Sequence, residues 1–133
     1  MIREQEGIPF NLRDALTTLA TRAQNSHDVE IDLSMDAPEL PLFKAHNVFC
    51  IVQEALTNAQ RHAHAKSIRI IFDNKLDQLK VHIADDGIGF AQTSDFPGLG
   101  LRSMNERAQG VGGTLQIDSA PGDGTKVCLT MPL

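Results

Sequence analysis

Val52-Gln53-Glu54-Ala55-Leu56-Thr57-Asn58-Ala59-Gln60-Arg61-His62-Ala63 carries two stripes if it is helical. At about 100° per residue, with Glu54 at zero, Asn58 falls at about 40°, His62 at about 80° and Arg61 at about 340°. Val48, Phe49, Val52, Ala55, Leu56 and Ala59 gather around roughly 160°. One face is therefore core. The other lines up a carboxylate, an amide and two bases over two turns, a set that suits a metal–phosphate ligand. An ordinary amphipathic helix with a solvated face has the same periodicity, so the flanking sequence has to decide between them.

Downstream, Asp85-Asp86-Gly87-Ile88-Gly89-Phe90 directly follows an alternating run, Leu79 to Ala84. A carboxylate at a strand end is a fixed hydrogen-bond acceptor, suited to an exocyclic amine such as that of adenine. Gly87 and Gly89 permit positive φ and close approach of a ligand to the main chain. Gly98-Leu99-Gly100-Leu101 then opens a helix, whose unpaired N–H groups form an anion site. Between the glycine clusters, Ala91 to Pro97 is expected to form a short lid. Neither GxGxxG after the first strand nor GxxxxGK[ST] is present, so a phosphate site here is of another type.

The remaining pattern frames these pieces. Asn11 can cap a helix running to about Asn25, and Val29, Ile31, Leu33 and Met35 alternate as a strand. Pro38 and Pro41 enforce a loop before a helix expected over 43–64. Ile68 to Phe72 and Leu79 to Ala84 read as strands joined by a polar turn, Asp73 to Gln78. Leu101 to Gln109 reads as a helix ended by Gly112-Gly113. Thr114 to Asp118 and Thr125 to Met131 are the last strand pair. This order predicts an α+β, two-layer sandwich: a mixed five-stranded sheet with three helices on one face.

Composition sets the outer bounds. The chain has 133 residues, 41% hydrophobic and 22% charged, enough for one domain with a single core. A net charge of −5 argues against a nucleic-acid partner. No apolar run approaches the roughly 18 residues that span a bilayer, and no signal-peptide pattern opens the chain. The expectation is a soluble, monomeric domain, possible as a piece of a larger membrane protein. Cys50 and Cys128 lack CxxC spacing and read as reduced thiols. His46 and Cys50 stand at i, i+4, but the four ligands of a zinc site are missing.

Glu54-x3-Asn58-x2-Arg61-His62, Asp85-x-Gly87-x-Gly89 and Gly98-x-Gly100 stand in fixed order, and together they resemble the ATP-binding catalytic domain of sensor histidine kinases. They correspond to the N, G1 and G2 boxes of the Bergerat ATPase fold, and Gly124-Thr125 between the last two strands fits as well. The resemblance covers residues 11–133, leaving 1–10 as the tail of a preceding segment. Gln53-Glu54-Ala55-Leu56-Thr57-Asn58-Ala59 and Gly98 to Ala108 are most similar to the nitrate/nitrite-sensor subfamily.

The resemblance implies ATP and Mg²⁺ as ligands. Asn58 would hold Mg²⁺ through its amide oxygen. Glu54 would be catalytic, orienting or deprotonating the attacking group, or only polarising it where that group is a histidine nitrogen. Arg61 or His62 would neutralise phosphate charge, and Asp85 would accept from the adenine amine. Gly87 and Gly89 would admit the base, and Gly98, Gly100 and Leu101 would meet the phosphates. Thr125 would support Asp85 and the adenine through water. The implied partners are a dimerisation domain bearing the phospho-acceptor histidine and, downstream, a response regulator. None of His27, His46, His62, His64 or His82 has the setting of that acceptor. The expectation is therefore a cytoplasmic domain of a membrane sensor that binds Mg·ATP without labelling itself. A stand-alone protein-serine kinase of the same fold and a non-catalytic nucleotide-binding module are the alternatives.

Overall fold

The computed structural model of the chain describes residues 10–26, 29–36, 39–62, 64–90 and 100–133, the side chain of His62 excepted. Helix α1 (Leu12–Ser26) begins where the Asn11 carboxamide accepts the Asp14 N–H at 3.0 Å, an N-cap that satisfies one donor of the first turn. Leu12, Leu16, Ala20 and Ala23 form its buried stripe. Strand β1 (Glu30–Met35) alternates exposed and half-buried residues. Helix α2 (Leu42–Thr57) buries Ala45, Val48, Ile51, Val52, Ala55 and Leu56. Strands β2 (Ser67–Lys75) and β3 (Gln78–Asp85) form a hairpin; helix α3 (Leu101–Gly110) and strands β4 (Thr114–Ser119) and β5 (Thr125–Pro132) complete the chain.

The five strands make one sheet in the order β1-β2-β3-β5-β4, with β1 parallel to β2 and every other pairing antiparallel. This is the mixed sheet expected from the pattern. Register explains how one face becomes core. Leu33, Ile70, Ile83, Val127 and Ile117 lie in one row across all five strands, and Met35, Phe72, Val81, Leu129 and Leu115 lie in another. The three helices cover that face, with Leu16, Ile51, Val48, Val52 and Met104 fully buried against it. The opposite face carries Arg69, Lys80, His82, Gln116 and Lys126, all exposed.

Two expectations need correction. The polar turn over Asp73 to Gln78 is only Leu76-Asp77, because both residues take positive φ (52° and 61°). That pair of left-handed residues makes a tight hairpin whose twist matches the strands, so Asn74 and Lys75 stay in the ladder opposite Leu79 and Gln78. The helix expected over 43–64 is α-helical only to Thr57 and continues as a π turn, Asn58–His62. It closes with the Ala65 N–H on the Ala59 carbonyl at 2.9 Å and with His64 at φ 51°. A π turn is wider than 3.6 residues per turn, so the helical projection of Arg61 and His62 does not carry past Asn58.

A buried polar contact fixes the helix pair that frames the site. Asn47, on α2, donates to the Phe43 carbonyl at 2.8 Å and accepts from Arg107 of α3 at 3.1 Å.

Candidate functional site

The row of the sheet above Ile70-Ile83-Val127-Ile117 breaks the apolar pattern. There Ile68 pairs with Asp85, Asp85 with Thr125, and Thr125 with Ser119. Side chains alternate faces along a strand, so Asp85, Thr125 and Ser119 all belong to the helix-covered face. Three adjacent polar side chains at the rim of an apolar core are costly there unless they are hydrogen-bonded.

They are. The Asp85 carboxylate accepts the Gly87 N–H at 2.8 Å. Burial raises its pKa, the N–H groups of Gly87 and Thr125 pull it back down, and the neighbouring Asp86 charge adds to the rise. Ser119 Oγ donates to the Gly124 carbonyl (3.0 Å), accepts the Phe90 N–H (2.9 Å) and meets Thr125 Oγ at 2.8 Å. The loop after β3 is thereby laced to the β4–β5 turn, and the Gly122 N–H adds a bond to the Ile88 carbonyl at 2.7 Å. Gly124 is buried, and a methyl group there would run into the Asp85 carbonyl. Asp86 points elsewhere: its carboxylate accepts the Lys66 and Ser67 N–H groups at 2.9 and 3.0 Å, which hold its pKa low and fasten the start of β2.

The α2 residues meet the start of α3. Gly100, at φ 68°, is the N-cap residue of α3, and a methyl there would sit 2.5 Å from the Glu54 carboxyl carbon and Oε2. Glu54 is half-buried against the start of α3, the end of a helix that favours negative charge. Asn58 follows one turn later at the α-to-π junction, its amide oxygen shielded from solvent. Arg61 is exposed. Leu101 is half-buried and packs against the core, as does the buried Met104.

The structure thus brings Asp85, Gly87, Gly89, Gly124 and Thr125 together at one rim of the sheet, and Glu54 together with Gly100. Gly98, Leu99, the expected lid and the His62 side chain lie outside the described residues. The sequence reading missed Ser119. Its signal was the alternation Leu115, Ile117, Ser119 beside Val127, Thr125, which puts a hydroxyl in an apolar register next to a second hydroxyl. His46 Nε2 lies 3.8 Å from Cys50 Sγ, and among the described residues no three metal-ligating side chains cluster.

A two-layer α+β module with a polar rung at the rim of its buried face, glycines flush beneath it and an acid–amide pair on the covering helix is the architecture of a nucleotide-binding domain. The family described as histidine kinase-, DNA gyrase B-, and HSP90-like ATPase matches residues 44–133, and the chain belongs to it. An uncharacterized sensor-like histidine kinase of Chloroflexus aurantiacus is 33% identical over 140 residues, covering 100% of this chain and 24% of that protein. The nitrate/nitrite sensor protein NarQ of Escherichia coli is 34% identical over 131 residues, covering 96% of this chain and 22% of its own length. Among solved structures, the histidine kinase domain of the Erythrobacter litoralis EL346 blue-light activated histidine kinase aligns with a TM-score of 0.80 at 27% identity, over 92% of this chain and 61% of that one. The chain spans about a quarter of the length of these two curated relatives.

Proposed function

We propose that the chain binds Mg·ATP with the adenine amine at Asp85 and the phosphates at Glu54, Asn58 and the start of α3, and passes the γ-phosphoryl group to a histidine on a dimerisation domain of the same parent kinase. A response regulator then takes the phosphoryl group from that histidine. The observation that carries the reading is the Asp85–Thr125–Ser119 rung, a hydrogen-bonded polar row where the sheet's own register calls for apolar side chains. The parent is a membrane sensor with this domain on its cytoplasmic side; no helix among the described residues is long and apolar enough to cross a membrane.

In this reading Asp85 accepts from the exocyclic amine, and Gly87 and Gly89 let the base lie against the main chain. The shielded Asn58 amide oxygen and the Glu54 carboxylate one turn earlier are hard oxygen donors, the type Mg²⁺ takes. Asn58 would hold the ion, which when bound supplies positive charge to the phosphates. Glu54 polarises the attacking histidine nitrogen. Arg61 or His62 would offset the charge that develops as the γ-phosphoryl leaves. Gly100 and Leu101 offer backbone N–H groups at the head of α3, and Gly98 would join them as a phosphate ligand.

Titration calorimetry with ATP, with and without Mg²⁺, tests the binding. Phosphotransfer from labelled ATP to a histidine-bearing dimerisation domain, against a serine-bearing partner, tests the chemistry. Label should reach the first partner only, and the chain alone should stay unlabelled. Label on the serine partner would instead mark a protein-serine kinase.

A further inference from the structure

Helices α2 and α3 touch at points that share one register. Arg107 of α3 donates to Asn47 of α2 at 3.1 Å. Glu54 lies against Gly100, where an added methyl would stand 2.5 Å from the carboxyl carbon. Glu54 comes seven residues after Asn47, and Gly100 seven before Arg107. The two helices therefore run antiparallel, and seven residues, about 10 Å of helix, return nearly to the same face of each. The Phe43 ring extends the series: a methyl at Gly110 would lie 3.9 Å from it.

Among the described residues, Asn47 is the one polar side chain buried in the core. Its carboxamide is held at both ends, donating to the Phe43 carbonyl at 2.8 Å and accepting from Arg107. Apolar side chains in both places would hold the helices about as firmly. Apolar burial is non-directional, however, and leaves sliding along the axis weakly opposed. A hydrogen bond between named partners defines one axial position, as a single buried polar residue does in a coiled coil. We propose that Asn47 and Arg107 are positioning residues that lock the axial register of α3 on α2, and so hold the head of α3 beside Glu54 for the phosphates of the nucleotide. This rests on the reading of that corner as the phosphate end of the site. No side-chain hydrogen bond caps α3, which leaves its register on α2 to set where its first N–H groups lie. A displacement of about 1 Å at a reacting group costs about 100-fold in rate.

The test separates register from stability. Asn47→Leu combined with Arg107→Met makes both partners apolar, and its urea midpoint should equal or exceed that of the wild type. Titrated with a non-hydrolysable ATP analogue and Mg²⁺, this double variant should shift the Gly87 and Gly89 amides as the wild type does and lose the response at Gly100 and Leu101. Its Kd should weaken about tenfold, the loss of one well-placed hydrogen bond. Arg107→Lys, which keeps a donor for Asn47, should retain the response at both ends. A merely structural pair predicts a lower urea midpoint with a response weakened evenly at both ends; a pair of no consequence predicts an unchanged response. Either result overturns the inference and leaves the ATP reading standing. A wild type whose Gly100 and Leu101 amides stay silent overturns the phosphate reading itself. If the double variant does not fold, Arg107→Met alone carries the comparison: the same local loss at Gly100 and Leu101 is expected, and an unchanged response there refutes the proposal.

Discussion

Asp85→Asn should separate binding from stability. The carboxylate is half-buried and its pKa is raised, chiefly because burial disfavours the charge. The sign of the linkage follows. Below the unfolded-state pKa the group is protonated in both states and costs nothing. As pH climbs from that value to the higher folded-state pKa, the unfolded chain gives up its proton first, so the folded state loses stability, and above that window the loss is constant. Ionised Asp85 is thus a burden on the fold at neutral pH. Asparagine removes the charge and can still accept the Gly87 N–H through its amide oxygen. The variant should unfold at the same or a higher temperature than the wild type at pH 7, and the difference should vanish in acid. The adenine amine, by contrast, loses a charge-assisted hydrogen bond worth about 1.5–3 kcal/mol, or about a 10- to 150-fold weaker Kd for ATP. Thermal unfolding at a series of pH values and calorimetry with Mg·ATP read the two effects. A variant that is destabilised at pH 7 and binds ATP with unchanged affinity would refute both halves of the reasoning.

Gly124→Ala and Gly122→Ala share a positive-φ penalty of about 1–2 kcal/mol, but only at position 124 does the new methyl meet backbone, the Asp85 carbonyl; at 122 there is nothing within 4 Å. Urea unfolding should therefore show Gly124→Ala as clearly the more damaging, and equal losses would deny the close approach of the two strands. Asn58→Ala should remove most of the Mg²⁺ dependence of ATP binding while leaving ADP binding measured in chelator nearly unchanged. Asn47→Ala strips the Arg107 guanidinium of its α2 partner at 3.1 Å and should cost about 1–3 kcal/mol in urea unfolding, a loss that a neutral result would exclude.

The apolar periods were strong enough to give the three α-helices, the five strands and the sheet's buried face, since core-facing positions such as Ile68, Ile70 and Phe72 leave the strand no other orientation. The hairpin length was not legible. Leu76-Asp77 lacks the Asn-Gly or Asp-Gly signature of its turn type, and pairing of Asn74 and Lys75 is decided by the ladder, not by their own propensity. The π turn was hidden for a similar reason: nothing in Asn58-Ala59-Gln60-Arg61-His62 marks a change of winding, which arises where the chain must turn from α2 toward β2. Asp85 and Thr125 were legible as candidates from their motifs. Ser119 was not, because its significance lies in a register between two strands that only the fold brings together.

The central claim is that Mg·ATP lies between the polar side of α2 and the Asp85 rung. Amide chemical-shift mapping of the ¹⁵N-labelled chain, titrated with a non-hydrolysable ATP analogue and Mg²⁺, tests it most directly. The account expects the largest shifts at Gly87, Gly89, Ser119 and Thr125 together with Glu54, Asn58 and Gly100, and near silence at Arg69, Lys80 and His82 on the open face. Shifts gathered on that open face, or a silent Asp85 loop beside an active α2, would contradict it.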